Sequence, residues 1–198
     1  MRLQRPPTAR FACLHTARPP ERADGACGTR VAQTLPMHAV SQPDSSLRTR
    51  LLDDHHDLEA LMARVLEACE NDDREGIGEA WGELDARVMG HLEIEDRFLV
   101  PALMRTNERE ARAIMSEHRH IRTRLVELGA AVDLHTIRTD TARSFIDDLR
   151  AHASHEDEIL YRIADDAIPY EEHASILEAM AHAVRERLER RRAHKHAK

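Results

Sequence analysis

The chain reads as an all-α protein: an up-down antiparallel four-helix bundle with an additional C-terminal helix and a disordered N-terminal arm. Three observations predict this. Ala, Leu, Glu and Arg dominate, while aromatic residues make up only 3% and glycine is scarce after residue 30, a composition that favours helix and gives strands little support. From about Asp44 the apolar residues recur at helical spacing. And HLEIEDRFLVPAL at 91–103 is echoed by HASHEDEILYRIA at 152–164, each with His, then Glu four residues on, then Asp.

The elements follow in order. Residues 1–43 hold six of the eight prolines, with Gly25, Gly28 and scattered Arg, so this segment buries too little apolar surface to order itself. It lacks the apolar stretch of a secretory signal and matches an organelle transit peptide weakly; we expect a disordered arm, or a true start at Met37. The bundle is expected over 44–167. Asp44, Ser45 and Ser46 offer N-caps for a first helix to about Cys69, and Asn71-Asp-Asp is a polar break. A second helix is expected over roughly 73–105; it includes Gly76, Gly78, Gly82 and Gly90, which weaken it, above all in its first turns. Asn107 with Glu110 makes a capping-box-like start for a third helix to about Val132. Thr136 to Thr141 leads into a fourth ending near Ala167. Pro169 suits the first turn of a fifth helix, which with the basic tail makes up 168–198.

Length and composition bound the function. No apolar run approaches the ~20 residues that cross a bilayer, so a soluble, membrane-free protein is expected. Net charge is −7 overall, yet +4 over residues 1–40 and +5 over 185–198, leaving −16 on 41–184; so acidic a body does not suit nucleic acid. Cys13, Cys27 and Cys69 form no CxxC, consistent with a reducing, cytoplasmic setting.

Fourteen histidines are the anomaly. Residues i and i+4 of a helix lie about 40° apart around the axis, so His91 and Glu95 face one way, as do His152 and Glu156. Both pairs sit within the apolar stripes, between Leu84/Val88 and Phe98/Leu99, and between Phe145/Leu149 and Ile159/Ile163. His55 lies between Leu51/Leu52 and Leu58/Met62, and His118 between Ile114/Met115 and Ile121/Leu125. Four core stripes thus carry a histidine inward and two carry a carboxylate. Buried carboxylates facing one another cost several kcal/mol each unless something positive sits between them. Imidazoles and carboxylates without thiolates suit iron, manganese or zinc, and carboxylates able to bridge argue for two ions. The first and third helices also echo each other, DDHHDLEALMARV (53–65) against SEHRHIRTRLVEL (116–128), so a two-helix unit is used twice.

The order His…His-x-x-x-Glu…His…His-x-x-x-Glu resembles the hemerythrin-like, or HHE cation-binding, family over roughly 45–166. The resemblance implies a bundle around a non-haem di-iron centre, with His55, His91, Glu95, His118, His152 and Glu156 as ligands to two iron ions joined by an oxo or hydroxo bridge; zinc and manganese are the alternatives. It implies binding of dioxygen, nitric oxide or peroxide, in sensing or oxidative-stress defence, with an electron donor supplied from outside. Oxygen-carrying members place a second histidine four residues along the third helix, where this chain has Arg122. We expect the resulting more open site to favour redox turnover or sensing over carriage. If the protein is an enzyme, it is a di-iron oxidoreductase acting on peroxide or dioxygen. Two other functions stay open: iron oxidation and storage, and a metal-free interaction bundle. A homodimer through the fifth helix is a further expectation.

Other residues are read more plainly. His56 and His120 are expected at the surface. His155 is read as a flank residue, with a role behind or in place of a ligand left open. Ile159 breaks HExxH, which excludes that zinc-protease motif. Glu59 and Arg122 are either an ion pair at the site mouth or two unrelated surface groups. Asp157, at five-residue spacing from His152, holds the place of an aspartate that the oxygen-carrying members have, and its contribution to the site is left open. Tyr161, five residues after Glu156, could approach a metal but is expected to pack.

Overall fold

The computed structural model describes residues 46–196, with side chains through 193; the expected arm at 1–43 and the start at Met37 lie outside the described residues. Every regular element among the described residues is helical. Helix α1 (Leu47–Glu70) starts where the Ser46 hydroxyl accepts from the Thr49 amide at 3.2 Å. Helix α2 (Arg74–Ile94) is capped by Asp73, which accepts from the Gly76 amide at 3.0 Å. Helix α4 (Glu108–Asp133) begins at Asn107, whose side chain accepts from the Glu110 amide at 3.3 Å. Each side chain satisfies an amide that has no partner inside its own helix. Helix α5 (Thr139–Glu158) lacks a side-chain cap, and the Thr139 hydroxyl instead donates to the Cys69 carbonyl at 3.2 Å, tying its start to the end of α1.

The second and fourth expected helices are each interrupted next to a candidate site residue. The continuous helix expected over 73–105 is instead α2, a π-helical turn (Glu95–Leu99) and α3 (Val100–Thr106). Pro101 has no amide proton for an α-type bond to Arg97, and the Val100 amide bonds the Glu95 carbonyl five residues back. Such wide turns gather at functional positions. The fourth helix, expected to run to Ala167, ends at Glu158; a 3-10 turn (Tyr161–Ile163) and the short α6 (Ala164–Ala167) follow.

Helix α1 packs against α2 and α5, α2 against α4, and α4 against α5. The interior divides in two. One apolar cluster includes Leu58, Met62, Val65, Trp81, Val88, Leu125, Phe145 and Leu149. The other includes Leu47, Leu51, Ile94, Leu99, Ile114, Leu160 and Tyr161. His55, His91, His118 and His152 fall on their helices at the boundary between the clusters.

Helix α7 (Tyr170–His196) lies along α2, and Pro169 stands just before it. A Cβ on Gly90 would come 2.8 Å from Val184 Cγ2 and 3.2 Å from the Val184 amide nitrogen, so glycine is what lets the helices approach. Arg187 adds an ion pair to Glu93 at 2.7 Å. No helix among the described residues is long and apolar enough to cross a membrane.

Candidate metal centre

All six sequence-predicted residues converge. His91, Glu95, His118, His152 and Glu156 are buried, and His55 is half-buried. They form two overlapping groups of donor atoms: His55, His91, Glu95 and Glu156 on one side, and His118, His152, Glu95 and Glu156 on the other. Glu156 faces both, with Oε2 3.4 Å from His55 Nε2 and Oε1 2.9 Å from His118 Nε2. Glu95 does the same, its Oε1 3.2 Å from His91 Nε2 and its Oε2 3.6 Å from His118 Nε2. The arrangement is that of two carboxylates able to bridge two ions, each ion flanked by two imidazoles.

The four rings are aimed by an outer set of carboxylates. Each presents Nε2 to the centre, and Nδ1 donates outward: His55 to Asp157 at 2.8 Å, His91 to Asp54 at 2.7 Å, His118 to Asp96 at 2.7 Å and His152 to Glu117 at 2.8 Å. The pattern closes on itself. Helix α1 gives an acid to the histidine of α2, the π turn after α2 to that of α4, α4 to that of α5, and α5 back to α1. A carboxylate behind an imidazole fixes its tautomer and raises its basicity toward a metal on the other nitrogen.

Two outer acids are themselves held. Arg87 lies 3.6 Å from Asp54 and 3.1 Å from Asp57, and Arg122 lies 2.7 Å from Asp96. Arg122 therefore serves the ring behind His118, while Glu59 pairs with Arg150, so those two residues do not meet. His155 bonds Glu117 at 2.9 Å and Glu110 at 3.3 Å, on the flank and behind His152. His56 and His120 are exposed as expected.

Three inward atoms, Glu95 Oε2, Glu156 Oε2 and His152 Nε2, are buried without a hydrogen-bond partner. Orphaned buried acceptors are costly, and two cations, one on the His55/His91 side and one on the His118/His152 side, would satisfy all three, so the residues present fit a metal pair. Without one, protons must do the work. Burial lowers the His118 pKa, but hydrogen bonds to Asp96 and Glu156 and the charges of Glu95 and Glu156 outweigh it and push it to about 9. Burial likewise opposes ionisation of His91, yet Glu95 and Asp54 hold its pKa well above the usual imidazole range, and His152 is raised in the same way by Glu156 and Glu117. Glu156, despite its burial, is held well below the usual carboxylate range by its hydrogen bond to His118 and by the nearby imidazoles of His152, His55 and His91.

Sequence reasoning missed Asp54, Asp96 and Glu117 as outer acids, left Asp157 open, and favoured packing for Tyr161 over an approach to a metal. The signal for the acids was present: each stands next to a site residue in sequence, as Asp54-His55, Glu95-Asp96, Glu117-His118 and Glu156-Asp157. Tyr161, expected to fill space, has its hydroxyl 2.6 Å from Glu95 Oε1. Beside the centre is a cavity of about 20 Å³ bordered by His55, His91, His152 and Glu156 and otherwise lined by apolar side chains including Leu58, Met62, Val88 and Leu149.

The family model described as hemerythrin HHE cation binding domain matches residues 46–164. No curated protein and no solved structure matches the chain.

Proposed function

The chain belongs to the hemerythrin HHE cation-binding family, and from that premise we propose that it is a di-iron protein that binds dioxygen or a related small oxidant. In this reading α1, α2, α4 and α5 form an up-down four-helix bundle, and His55, His91, Glu95, His118, His152 and Glu156 hold the two ions. What carries the proposal is the closed ring of outer carboxylates. Four imidazoles, each tied back through Nδ1, direct Nε2 at two buried carboxylates, an arrangement that binds cations and has no comparable use in an apolar core. Nitrogen and oxygen donors without thiolate fit iron and leave its ferric state accessible.

The iron pair, when bound, supplies electrons to the oxidant. The chain's part is to orient the donors, exclude water and admit a small ligand. A cavity of about 20 Å³ is the size of one water or a diatomic, since about 10–15 Å³ is the least that holds a water. Its mostly apolar lining favours dioxygen or nitric oxide over larger or more polar molecules, and its size also admits peroxide. A role in oxidant consumption or sensing follows, with electrons supplied by a separate donor.

Metal analysis of the full chain produced with iron present tests this, for the wild type and for Glu95→Ala/Glu156→Ala. The wild type is expected to carry two irons per chain and a visible absorption that changes with azide, nitric oxide or peroxide. The double variant is expected to lose both. Equal iron in the two proteins would overturn the ligand assignment.

A further inference from the structure

The repeat that builds the centre is broken at one position. The residue five places after Glu95 is Val100 and the residue five places after Glu156 is Tyr161, both buried. In the second half the α-helix stops at Glu158, and the following turns bring the Tyr161 ring into the centre. Its hydroxyl oxygen lies 2.6 Å from Glu95 Oε1, 3.0 Å from His55 Nε2 and 3.1 Å from His91 Nε2. The two imidazole nitrogens are 3.2 Å apart, and His91 Nε2 is 3.2 Å from Glu95 Oε1.

These are the spacings of atoms that share an ion. Nitrogen and oxygen donors bound at roughly 2.0–2.2 Å and at right angles stand about 3 Å from one another. Hydrogen bonding explains the cluster poorly. A phenol has one proton, and Glu95 Oε1 is its nearest acceptor. The Nδ1 protons of His55 and His91 are committed to Asp157 and Asp54, so in neutral rings both Nε2 atoms turn lone pairs toward the phenol oxygen. Protonating His91 alone supplies one further donor but still leaves the His55 Nε2 lone pair turned on the phenol oxygen, and protonating both rings would set two cationic N–H groups 3.2 Å apart.

We infer that Tyr161 is itself a metal ligand, its phenolate oxygen joining His55, His91, Glu95 and Glu156 on one ion. The other ion keeps four protein donors: His118, His152, Glu95 and Glu156. The inference rests on the di-iron reading above. On binding, the oxygen–metal bond replaces the O–H bond and the proton passes to solvent; no electron moves. Phenolate is a hard anionic donor, so it stabilises the ferric state of its own ion. An incoming oxidant would be left with the ion that has fewer protein donors; the cavity borders His152 and Glu156 on that side and His55 and His91 on the other.

The sequence contains two tyrosines, Tyr161 and Tyr170, which makes the test direct. The full chain is loaded with iron as wild type, Tyr161→Phe and Tyr170→Phe, and each is examined by metal analysis, visible absorption and resonance Raman. The expected result is a phenolate-to-iron charge-transfer band with enhanced tyrosine ring modes in the wild type. Tyr161→Phe should lose both while retaining two irons, and Tyr170→Phe should keep both. An iron-loaded wild type without tyrosine ring modes overturns the inference and leaves the di-iron reading standing, as does a band that survives Tyr161→Phe. A wild type that takes up no iron overturns both. Should Tyr161→Phe fold poorly, Tyr170→Phe decides the matter: ring modes that persist in it come from Tyr161, and ring modes lost in it overturn the inference.

Discussion

Replacing Glu95 and Glu156 together by Gln should abolish metal binding while costing the metal-free fold little. Both carboxylates are fully buried. Without metal they are balanced only by protonated imidazoles, and charged groups of this kind repay their desolvation poorly, so neutral replacement of similar volume is often neutral or stabilising. With metal the order reverses. An ion present at 100 times its Kd adds about 2.7 kcal/mol to stability, and two ions about 5 kcal/mol. At roughly 2–4 °C per kcal/mol for a chain of 150–250 residues, the wild type should gain about 10–20 °C in Tm. The assay is thermal unfolding by circular dichroism, in chelator and in excess Fe(II) without oxygen. A variant that gains as much as the wild type on adding metal would refute the reasoning, and so would a variant that melts far below the wild type in chelator.

Four further outcomes follow from the same geometry. His118 titrates at about 9 in the fold against an ordinary 6.5, so stability of the metal-free protein should be fully present below pH 6.5 and fall as pH rises through 9. Glu156, held well below 4.5, contributes above pH 4.5 and is lost on acidification, which puts the optimum between those limits; a metal-free fold most stable at pH 9 would contradict this. Metal loading near pH 7 should release protons from His91, His118 and His152, measurable by calorimetry in buffers of different ionisation enthalpy, where no buffer dependence would count against the ligand set. Asp54→Ala should weaken metal binding about 10–100-fold by freeing the His91 ring, whereas Asp57→Ala, at an exposed carboxylate, should change it little. Gly90→Ala should destabilise the protein, because its methyl meets Val184 at 2.8 Å and overpacking of ~1–3 kcal/mol exceeds the helix gain of ~1 kcal/mol; Gly78→Ala, with nothing within 4 Å, should gain that helix propensity in denaturant melts.

What was legible in the sequence was what rests on periodicity within one helix. The apolar stripes placed His55, His91, His118 and His152 inward, and the i, i+4 spacing placed Glu95 and Glu156 with them. Less legible was whatever depends on a helix ceasing to be regular. Pro101 gave warning of the wide turn at Glu95, but no local signal sets how that turn is absorbed. Tyr161 would point well away from Glu156 on an unbroken helix, and only the stop at Glu158 brings it round. The glycines of the second helix read as weak helix formers, whereas Gly90 is where α7 comes to rest. The outer acids were hidden differently: each stands beside one site residue in sequence but serves a histidine on another helix. Aligning the two repeats puts Asp54 on Glu117 and Asp96 on Asp157, a second sequence signal beside that adjacency.

That ring also explains why two ions, and not one, suit the interior. Six carboxylates surround the centre: Glu95 and Glu156 within, and Asp54, Asp96, Glu117 and Asp157 behind the imidazoles. Two arginines, Arg87 and Arg122, answer two of them, so with neutral imidazoles and the Tyr161 phenol still protonated the assembly carries a net charge of −4. One divalent ion would halve it; two divalent ions cancel it. Protons serve the same purpose at the imidazoles, which is why the pKa values of His91, His118 and His152 rise when only protein charges act on them. Metal and proton thus compete for the same nitrogens. The outer acids that make the rings good ligands also make them strong bases, so the site favours a metal over a proton only where the cation brings more charge than the protons it displaces and reaches the orphaned oxygens of Glu95 and Glu156. A pair of divalent or trivalent ions does both, and a monovalent cation does neither.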